Sequence, residues 1–327
     1  MIAITATSAA AEPGVVAREL AAHADVPAAI AAIWEDGAGG RLAVAGTRRA
    51  DGPSETEPQD AWHVGSLTKA MTATLAARLV EQGVLSWETP VNALLAARQE
   101  WDAVTLADLL THRSGMAANL PRWRSVFRPD RKSYVAHMLS RPPEGPQGAF
   151  LYSNAGYVVA GAMMEKASDT SWEALMEREV FAPLGMMGVG FGAPPDLLGH
   201  NPRPVPPSFV ADNIPAMGPA GTVHLPGDAM LAFLEAHATR PEDFLSPASW
   251  TRLHTPVEDY AMGWAVRPDG VMGHAGSNTL WLAAMRLSEG RAAFVAVNSG
   301  VDAVYEPVER ALDQLFPLPA TREALRP

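Results

Sequence analysis

The sequence contains no cysteine, and only three of its 25 basic residues are lysines. Without cysteine the chain has no disulfide, no thiolate metal site and no cysteine nucleophile. No run reaches the roughly 20 apolar residues that a membrane-spanning helix needs, so we expect no membrane span. The 36 acidic residues give a formal net charge of −11, which argues against nucleic acid as a partner because phosphates bind basic faces.

Several motifs that mark enzymes are also missing. The sequence has no Gly-x-Ser-x-Gly nucleophile elbow, no Gly-x-x-x-x-Gly-Lys phosphate loop and no zinc spacing among its nine histidines. The stretch 188–192 is glycine-rich like a dinucleotide loop, but two prolines follow where a helix should begin, so we interpret it as a turn. We therefore expect no metal and no organic cofactor.

The length and composition predict a well-buried globular protein of more than one domain. A chain of 327 residues, 48 % of them hydrophobic, exceeds the size at which a single core stops growing. We expect a discontinuous sheet domain at 14–75 and 205–327, a mainly helical domain at 76–204, and an N-terminal extension at 1–13. The extension has no basic residue, which favours a cytoplasmic location, or a periplasmic or secreted one if it is the remnant of a trimmed signal.

Hydrophobic periodicity predicts strands towards both ends of the chain and helices between them. Strands are expected at 27–34, 41–46, 260–266, 280–287 and 292–297. Helices are expected at 15–24, 67–82, from 105 onwards, 131–140, 153–167, 171–184, 227–238 and about 303–315, with capping boxes at Thr105–Asp108 and Thr170–Glu173. Residues 192–227 are rich in proline and glycine and predict a long irregular segment.

The first candidate site is Ser66-Leu67-Thr68-Lys69, where a strand-like run gives way to the helix expected at 67–82. A serine at a helix start has a free backbone N–H and lies at the positive end of the helix dipole. Lys69 follows one turn later, so its amine reaches Ser66 Oγ. Burial lowers the pKa of a lysine and makes its neutral amine available as a base. An N-cap serine followed by a surface lysine is the alternative.

The second candidate is Tyr152-Ser153-Asn154, at the start of the helix expected at 153–167. A nearby ammonium lowers the pKa of a tyrosine, so Tyr152 would exchange protons with Ser66. Asn154 would donate its amide N–H to a substrate carbonyl and accept from Lys69. A buried tyrosine followed by a capping asparagine is the alternative.

The third candidate is His274-Ala275-Gly276-Ser277, which lies between two expected strands. An edge strand here would place the Ser277 backbone N–H beside that of Ser66. Two such donors form an oxyanion hole for a tetrahedral intermediate. A histidine in a β-turn is the alternative.

In this order the three segments resemble the signature of the penicillin-recognising serine hydrolases: Ser-x-x-Lys, then Tyr-x-Asn, then Lys/His-x-Gly. That family includes class C β-lactamases, D,D-peptidases and related carboxylesterases. Three more stretches are similar to segments of that family. Residues 109–116 resemble its Leu-Leu-Thr-His-x-Ser-Gly loop, and residues 181–186 resemble its Pro-Leu-Gly-Met segment. Residues 260–264 resemble the strand that precedes its third motif. The similarity extends over about residues 15–315.

The resemblance implies an α/β (α+β) fold: an antiparallel sheet flanked by helices plus a mostly helical second domain, as in β-lactamases and transpeptidases, with the site in the cleft. It implies acyl transfer in which Ser66 attacks a carbonyl, assisted by Lys69 and Tyr152. The further binding groups it implies are Asn154, His274, Gly276 and Ser277. His112 and Ser114 belong to a structural loop of the family, and His63 is expected to be structural.

The chain departs from class C β-lactamases at the third motif, where they carry Lys-Thr-Gly and this sequence has His274-Ala275-Gly276. A neutral histidine attracts a substrate carboxylate less than a lysine does. Ser277, or an arginine brought in from elsewhere, would have to compensate, and Arg267 and Arg286 are the candidates by proximity in sequence.

We therefore expect a serine hydrolase of the carboxylesterase type that takes a small-molecule ester or amide substrate. The first alternative is a β-lactamase or a D-amino-acid peptidase. The second is a penicillin-binding sensor or scaffold that does not turn over. The sequence leaves the oligomeric state open.

Overall fold

A six-stranded antiparallel sheet dominates the computed structural model, which describes residues 10–206, 208 and 211–318. In chain order the strands are β1 (Ala28–Glu35), β2 (Gly39–Gly46), β3 (Trp62–His63), β4 (Gly190–Phe191), β5 (Gly199–His200), β6 (Pro204–Val205), β7 (Val223–Leu225), β8 (Ala265–Val266), β9 (Met272–Ser277), β10 (Leu282–Ser288) and β11 (Arg291–Val297). The predictions for residues 1–9 and 319–327, including most of the N-terminal extension, lie outside the described residues.

The helices are spread over the whole described chain. They are α1 (Pro13–Ala21), α2 (Thr68–Glu81), α3 (Leu106–Leu110), α4 (Arg122–Ser125), α5 (Arg131–Leu139), α6 (Asn154–Ser168), α7 (Trp172–Met176), α8 (Gly218–Gly221), α9 (Gly227–Thr239), α10 (Pro247–His254) and α11 (Tyr305–Leu315). Among the described residues, none of these helices is long and apolar enough to cross a bilayer.

Both ends of the chain contribute to the large sheet. Its strand order is β2-β1-β11-β10-β9-β8, and β1 pairs with β11 in the register Ala29↔Val297. The sequence-based prediction of an antiparallel sheet built from the two termini, flanked by helices, is confirmed. A smaller sheet, β3-β7-β4, leads into the segment that carries Ser66.

Both faces of the large sheet are covered by helices. Along β1, Ile30 and Ala32 join the core on one face, whereas Ala29 and Ala31 join the core on the other. Such burial on both sides explains why the strand is an almost continuous apolar run rather than an alternating one. α1 and α11 cover the outer face, and α9 packs on the inner face with α2 beyond it in the same core.

The inner core is continuous from the sheet to the helices of the middle of the chain. α2 is buried on nearly every side, and its buried positions include Lys69 and three threonines. The same core includes Leu109 and Tyr157 from α3 and α6 and Trp264 from the C-terminal part of the chain. The division into domains at 14–75 with 205–327 and at 76–204 stays a prediction.

Several elements differ from the sequence-based expectation. The helix expected at 171–184 is α7 followed by a π-helical turn at Glu177–Phe181, and its cap is Ser171, whose side chain accepts from Ala174 N–H, not Thr170. The capping box at Thr105–Asp108 is confirmed. α10 has no counterpart among the predicted helices, and the third motif lies inside β9 instead of between strands.

The buried His237 and the partly buried His254 form a short chain behind α2. His254 lies 2.9 Å from His237, Nε2 to Nδ1, and His237 Nε2 lies 3.1 Å from Thr74 Oγ. The Thr74 hydroxyl donates to Ala70 O at 2.9 Å. Burial lowers the pKa of His254 to about 3, and it lowers the pKa of His237 well below its ordinary value. Both rings are therefore neutral in the folded protein.

We predict that acid destabilises the protein through these histidines. Below the ordinary histidine pKa of about 6.5 the unfolded chain binds protons that the folded chain does not, so stability is full above that pH and falls below it. His254 alone should cost about 2 kcal/mol of unfolding free energy between about pH 7 and about pH 5. Urea titrations at both pH values measure this loss.

The variant His254→Gln keeps a donor for His237 and should lose less stability between the two pH values than the wild type. His23→Gln, at a partly exposed position on another part of the surface, should show the full wild-type loss. Equal pH dependence in all three proteins would contradict the assignment to His237 and His254.

Candidate active site

Ser66 lies on a tight 3₁₀ turn, Gly65–Leu67, between β3 and α2. Gly65 has φ +51°, a conformation that favours glycine, and its backbone N–H donates to His63 Nδ1 at 3.2 Å. The turn lifts the Ser66 side chain out of the core, and this side chain is partly exposed while its neighbours are buried. The predicted position of Ser66 at the start of a helix is confirmed.

Lys69, one turn later, is fully buried. Three oxygen atoms surround its amine. Nζ lies 2.8 Å from Ser66 Oγ, 2.7 Å from Asn154 Oδ1 and 2.7 Å from Ala220 O. The carbonyl oxygens of Asn154 and Ala220 only accept hydrogen bonds, so they take both N–H groups of a neutral amine. The remaining lone pair then faces the Ser66 hydroxyl.

Burial also lowers the pKa of Lys69 well below its ordinary value. The direction agrees with the sequence-based expectation and with the match between the acceptors and a neutral amine. Two threonines of α2 hold the 219–223 segment that supplies the Ala220 carbonyl: Thr72 donates to Pro219 O at 2.8 Å, and Thr68 Oγ accepts from Val223 N–H at 3.3 Å.

Tyr152 and Asn154 approach the amine from the other side. The Tyr152 ring centroid lies 5.0 Å from Lys69 Nζ, and its hydroxyl is hydrogen-bonded to Ser66. Asn154 is the first residue of α6, and its Nδ2 donates to Asn119 Oδ1 at 2.9 Å. The structure thus brings together the first and second motifs.

The expected direction of the Tyr152 pKa is wrong. Burial raises it to about 12, against a smaller opposing effect of the hydrogen bond with Ser66. A neutral Lys69 supplies no charge to lower it. Tyr152 is therefore a phenol at neutral pH, with a proton to donate.

His112 supports the second motif from behind. It is fully buried with φ +60°, its Nδ1 accepts from Ser153 N–H at 3.0 Å, and its ring centroid lies 4.2 Å from that of Tyr152. Burial lowers the His112 pKa to about 2, so the ring is neutral. Ser114 Oγ accepts from Met116 N–H at 3.3 Å. These contacts agree with a structural loop.

The third motif lies on the free edge of β9. β8 pairs only with Met272 and Gly273, so the rest of β9 faces the 3₁₀ turn. A Cβ on Gly276 would lie 2.5 Å from Ser66 N, and one on Gly65 would lie 2.5 Å from Ser277 N. The two backbones touch, and the amides of Ser66 and Ser277 flank this contact.

His274 is neutral and has two partners. Its Nδ1 lies 2.6 Å from Ala275 O, so Nδ1 carries the proton, and Nε2 accepts from the Tyr260 hydroxyl at 3.1 Å. Burial lowers the His274 pKa to about 4. The neighbouring Tyr157 donates its hydroxyl to Leu110 O at 2.6 Å, and its ring centroid lies 5.6 Å from Lys69 Nζ.

The two candidate arginines lie elsewhere. Arg286 is on the outer face of the sheet, where its guanidinium contacts Asp313 at 2.5 Å and Glu309 at 2.6 Å. Its strand neighbour Met285, not Arg286, pairs with His274, so the two side chains point to opposite faces. Arg267 contacts Asp269 at 3.4 Å in the turn between β8 and β9. The proposal that Arg286 compensates for the missing lysine is therefore wrong.

Sequence reasoning missed four groups that line the site: Asn119, Tyr157, Ala220 O and Tyr260. Tyr260 enters the sequence analysis only as part of a family-like stretch. Ala220 falls in the segment 192–227, and the prediction that this segment is irregular was the one sequence signal that pointed to it. Among the described residues, no group of three His, Asp or Glu side chains converges as metal ligands would.

Comparisons with known proteins agree with this arrangement. A protein-family model described as Beta-lactamase matches residues 16–316. Unguisins hydrolase ungD' of Aspergillus campestris is 27 % identical over 255 residues, which cover 63 % of this chain and 46 % of that protein. Putative penicillin-binding protein PbpX of Bacillus subtilis is 26 % identical over 232 residues, covering 67 % of this chain and 57 % of that protein.

The chain thus spans about half the length of these two curated relatives. The solved octameric penicillin-binding protein homologue from Pyrococcus abyssi superimposes with a TM-score of 0.75 at 25 % identity, over 91 % of this chain and 75 % of that one. Because the family model covers nearly all of the described residues and the fold agrees, the chain belongs to the beta-lactamase family of serine hydrolases.

Proposed function

We propose that this protein hydrolyses small acyl compounds through an acyl-enzyme on Ser66, with uncharged carboxylic esters as its preferred substrates. The observation that carries the proposal is the contact between Ser66 Oγ and the buried Lys69 amine, whose other two hydrogen-bond partners only accept. A neutral amine held in this way is a general base for the serine hydroxyl.

In the proposed first half of the reaction, Lys69 takes the Ser66 proton while Oγ attacks the substrate carbonyl. The N–H groups of Ser66 and Ser277 donate to the resulting oxyanion. Tyr152 gives its proton to the leaving alkoxide, and the acyl group stays on Oγ. The Lys69 ammonium then returns a proton to Tyr152 through the space that the departing alcohol has left.

In the second half, water attacks the acyl group and the same residues release the acid. Asn154 orients both Lys69, through its carbonyl, and the substrate, through its amide N–H. His274, Gly276 and Ser277 form the opposite wall, where Gly276 allows the strand to approach Ser66.

The preference for an uncharged ester rests on the third motif. His274 is neutral, its Nε2 is occupied by Tyr260, and Arg286 is bound on the opposite face of the sheet. A substrate carboxylate would find no fixed charge from these three groups, whereas a neutral ester needs none. We propose cleavage of a β-lactam or a D-amino-acid peptide as the second candidate, because relatives are named a putative penicillin-binding protein and a D-alanyl-D-alanine-carboxypeptidase/endopeptidase.

We predict that the protein turns over p-nitrophenyl butyrate faster than a chromogenic cephalosporin, because only the latter brings a carboxylate to the His274 wall. Ser66→Ala should lower both rates at least about a thousandfold, since it removes the nucleophile. Steady-state kinetics of the two substrates, measured side by side, give the comparison.

Ser114→Ala is the matched control, because Ser114 is the serine near His112 and should leave the ester rate close to the wild-type value. Faster cephalosporin turnover in the wild type would reverse the ranking of ester and lactam. A cephalosporoyl adduct that persists on Ser66 without turnover would favour the penicillin-binding sensor.

We also predict that the importance of Tyr152 depends on the leaving group. Tyr152→Phe should lower kcat for ethyl butyrate about a hundredfold or more, because a poor alkoxide leaving group needs the phenol proton. With p-nitrophenyl butyrate, whose leaving group departs as a stable anion, the loss should be less than about tenfold. Lys69→Ala should lower kcat severely for both esters, and equal losses for the two esters in Tyr152→Phe would contradict the role as acid.

A further inference from the structure

The Asp212 carboxylate contacts one residue next to each of the two backbone segments that carry the Ser66 and Ser277 amides. Its Oδ1 lies 2.8 Å from His63 Nε2 and accepts from Asn278 Nδ2 at 2.9 Å. The side chains of His63 and Asp212 are 0 % and 9 % exposed, so these contacts are made away from solvent. Polar contacts buried to this degree fix geometry more firmly than exposed ones do.

Each partner of Asp212 holds one of the two segments that meet at the site. His63 Nδ1 accepts from Gly65 N–H at 3.2 Å, which fixes the turn immediately before Ser66. Asn278 follows Ser277 directly, and its Oδ1 accepts from Leu280 N–H at 3.1 Å, which fixes the end of β9. One carboxylate oxygen thus links the backbones that carry both amides.

We infer that Asp212 is a positioning residue that sets the spacing between the backbone amides of Ser66 and Ser277. The inference rests on the proposed function, in which those two amides bind the oxyanion. It concerns a residue that touches neither the nucleophile nor the base. Its effect should therefore fall on the transition state and not on binding of the ground-state ester.

The test compares Asp212→Ala and Asp212→Asn with wild type. Loss of the carboxylate should lower kcat for p-nitrophenyl butyrate about ten- to a hundredfold with little change in KM, since small displacements of catalytic groups cost this much. The amide introduced by Asp212→Asn keeps an acceptor oxygen at the same place, so this variant should recover most of kcat. The inhibition constant of a boronic acid, whose tetrahedral adduct mimics the oxyanion, should rise in parallel with the loss of kcat.

Asp60→Ala is the matched control, because it removes a buried carboxylate and its ion pair without disturbing the contacts of Asp212. Asp60 is 5 % exposed and pairs with Arg48 at 2.9 Å, away from the site. It should lower thermal stability and leave kcat per folded molecule and boronic acid inhibition unchanged. If Asp212→Ala behaves like Asp60→Ala while Ser66→Ala abolishes turnover, the positioning role falls and the proposed function stands.

A second inference concerns a basic and apolar surface, which we define as Arg122, Trp123, Arg124, Val126 and Phe127. Trp123, Val126 and Phe127 are 63, 78 and 79 % exposed, and both arginines are exposed as well. The Arg124 guanidinium lies 4.8 Å from the Trp123 ring centroid. Large apolar side chains this exposed and this close together mark an interaction site.

This surface follows residues 118–120 in the chain, next to the site residue Asn119. Ala118 O accepts from Asn154 N–H at 2.9 Å, and Leu120 N–H donates to the Tyr134 hydroxyl at 3.1 Å, so the segment is anchored up to the start of α4. The remainder of the protein carries a strong negative charge, and an anionic partner would be attracted here and not by the molecule as a whole.

The geometry points to an anionic phospholipid surface as the partner of the basic and apolar surface. Arginines pair with lipid phosphates while tryptophan and phenylalanine enter the boundary between headgroups and acyl chains, which is the composition found here. A soluble polyanion would use the arginines and leave the apolar side chains exposed to water. This docking needs no hydrolysis, so it is independent of the proposed function.

Co-sedimentation with vesicles of phosphatidylcholine containing about one third phosphatidylglycerol tests the docking, with pure phosphatidylcholine vesicles alongside. The wild type should bind the anionic vesicles only. Arg122→Glu/Arg124→Glu should weaken binding at least about 25-fold, at about fivefold for each arginine, and Trp123→Ser/Phe127→Ser at least about tenfold.

Arg203→Glu/Arg252→Glu is the control with the same change of net charge at exposed positions elsewhere, and it should bind like the wild type. Ser66→Ala should also bind normally. No binding by the wild type, equal loss in the control, or a loss confined to the arginine variant with equal binding to polyphosphate would each overturn lipid docking. Thermal unfolding of every variant checks that the fold is retained.

Discussion

The buried amine of Lys69 is the group on which the rest of this site depends. A lysine in the first turn of a core helix is costly as a cation, and the fold supplies two acceptor oxygens that suit the neutral form. Those acceptors come from α6 and from the segment held by the threonines of α2. The arrangement therefore ties together three parts of the chain that are remote in sequence, and it orients the amine lone pair towards Ser66.

The same burial explains the protonation states around the amine. Tyr152, His112 and His274 all have pKa values displaced towards their neutral forms, with burial as the main cause. The site thus starts without charge on any of these side chains. Chemistry that creates an oxyanion beside such buried groups gains most from fixed backbone dipoles, because these dipoles need no reorganisation when the charge develops.

Local patterns were enough to predict the parts of the fold and site that depend on neighbours in sequence. The Ser66–Lys69 spacing, the strands β1 and β2 and the cap at Thr105 are of this kind. The Tyr152 pKa was not predictable in this way, because its direction depends on packing against His112 and on the charge of Lys69. The Ala220 carbonyl has no side-chain signature at all. The exclusion of Arg286 was not predictable either, because it depends on the register of β10 against β9, in which Met285 is the partner of His274.

The backbone contact between Gly65 and Gly276 separates positions of the site that can accept other side chains from positions that cannot. The side chains of Asn119 and His274, which line the site, stand on either side of a joint made only of main-chain atoms. Substitutions at those positions alter recognition without entering the joint, whereas any side chain at Gly65 or Gly276 would push the two backbones apart. The walls of the site can therefore be exchanged while the spacing between the amides of Ser66 and Ser277 is kept.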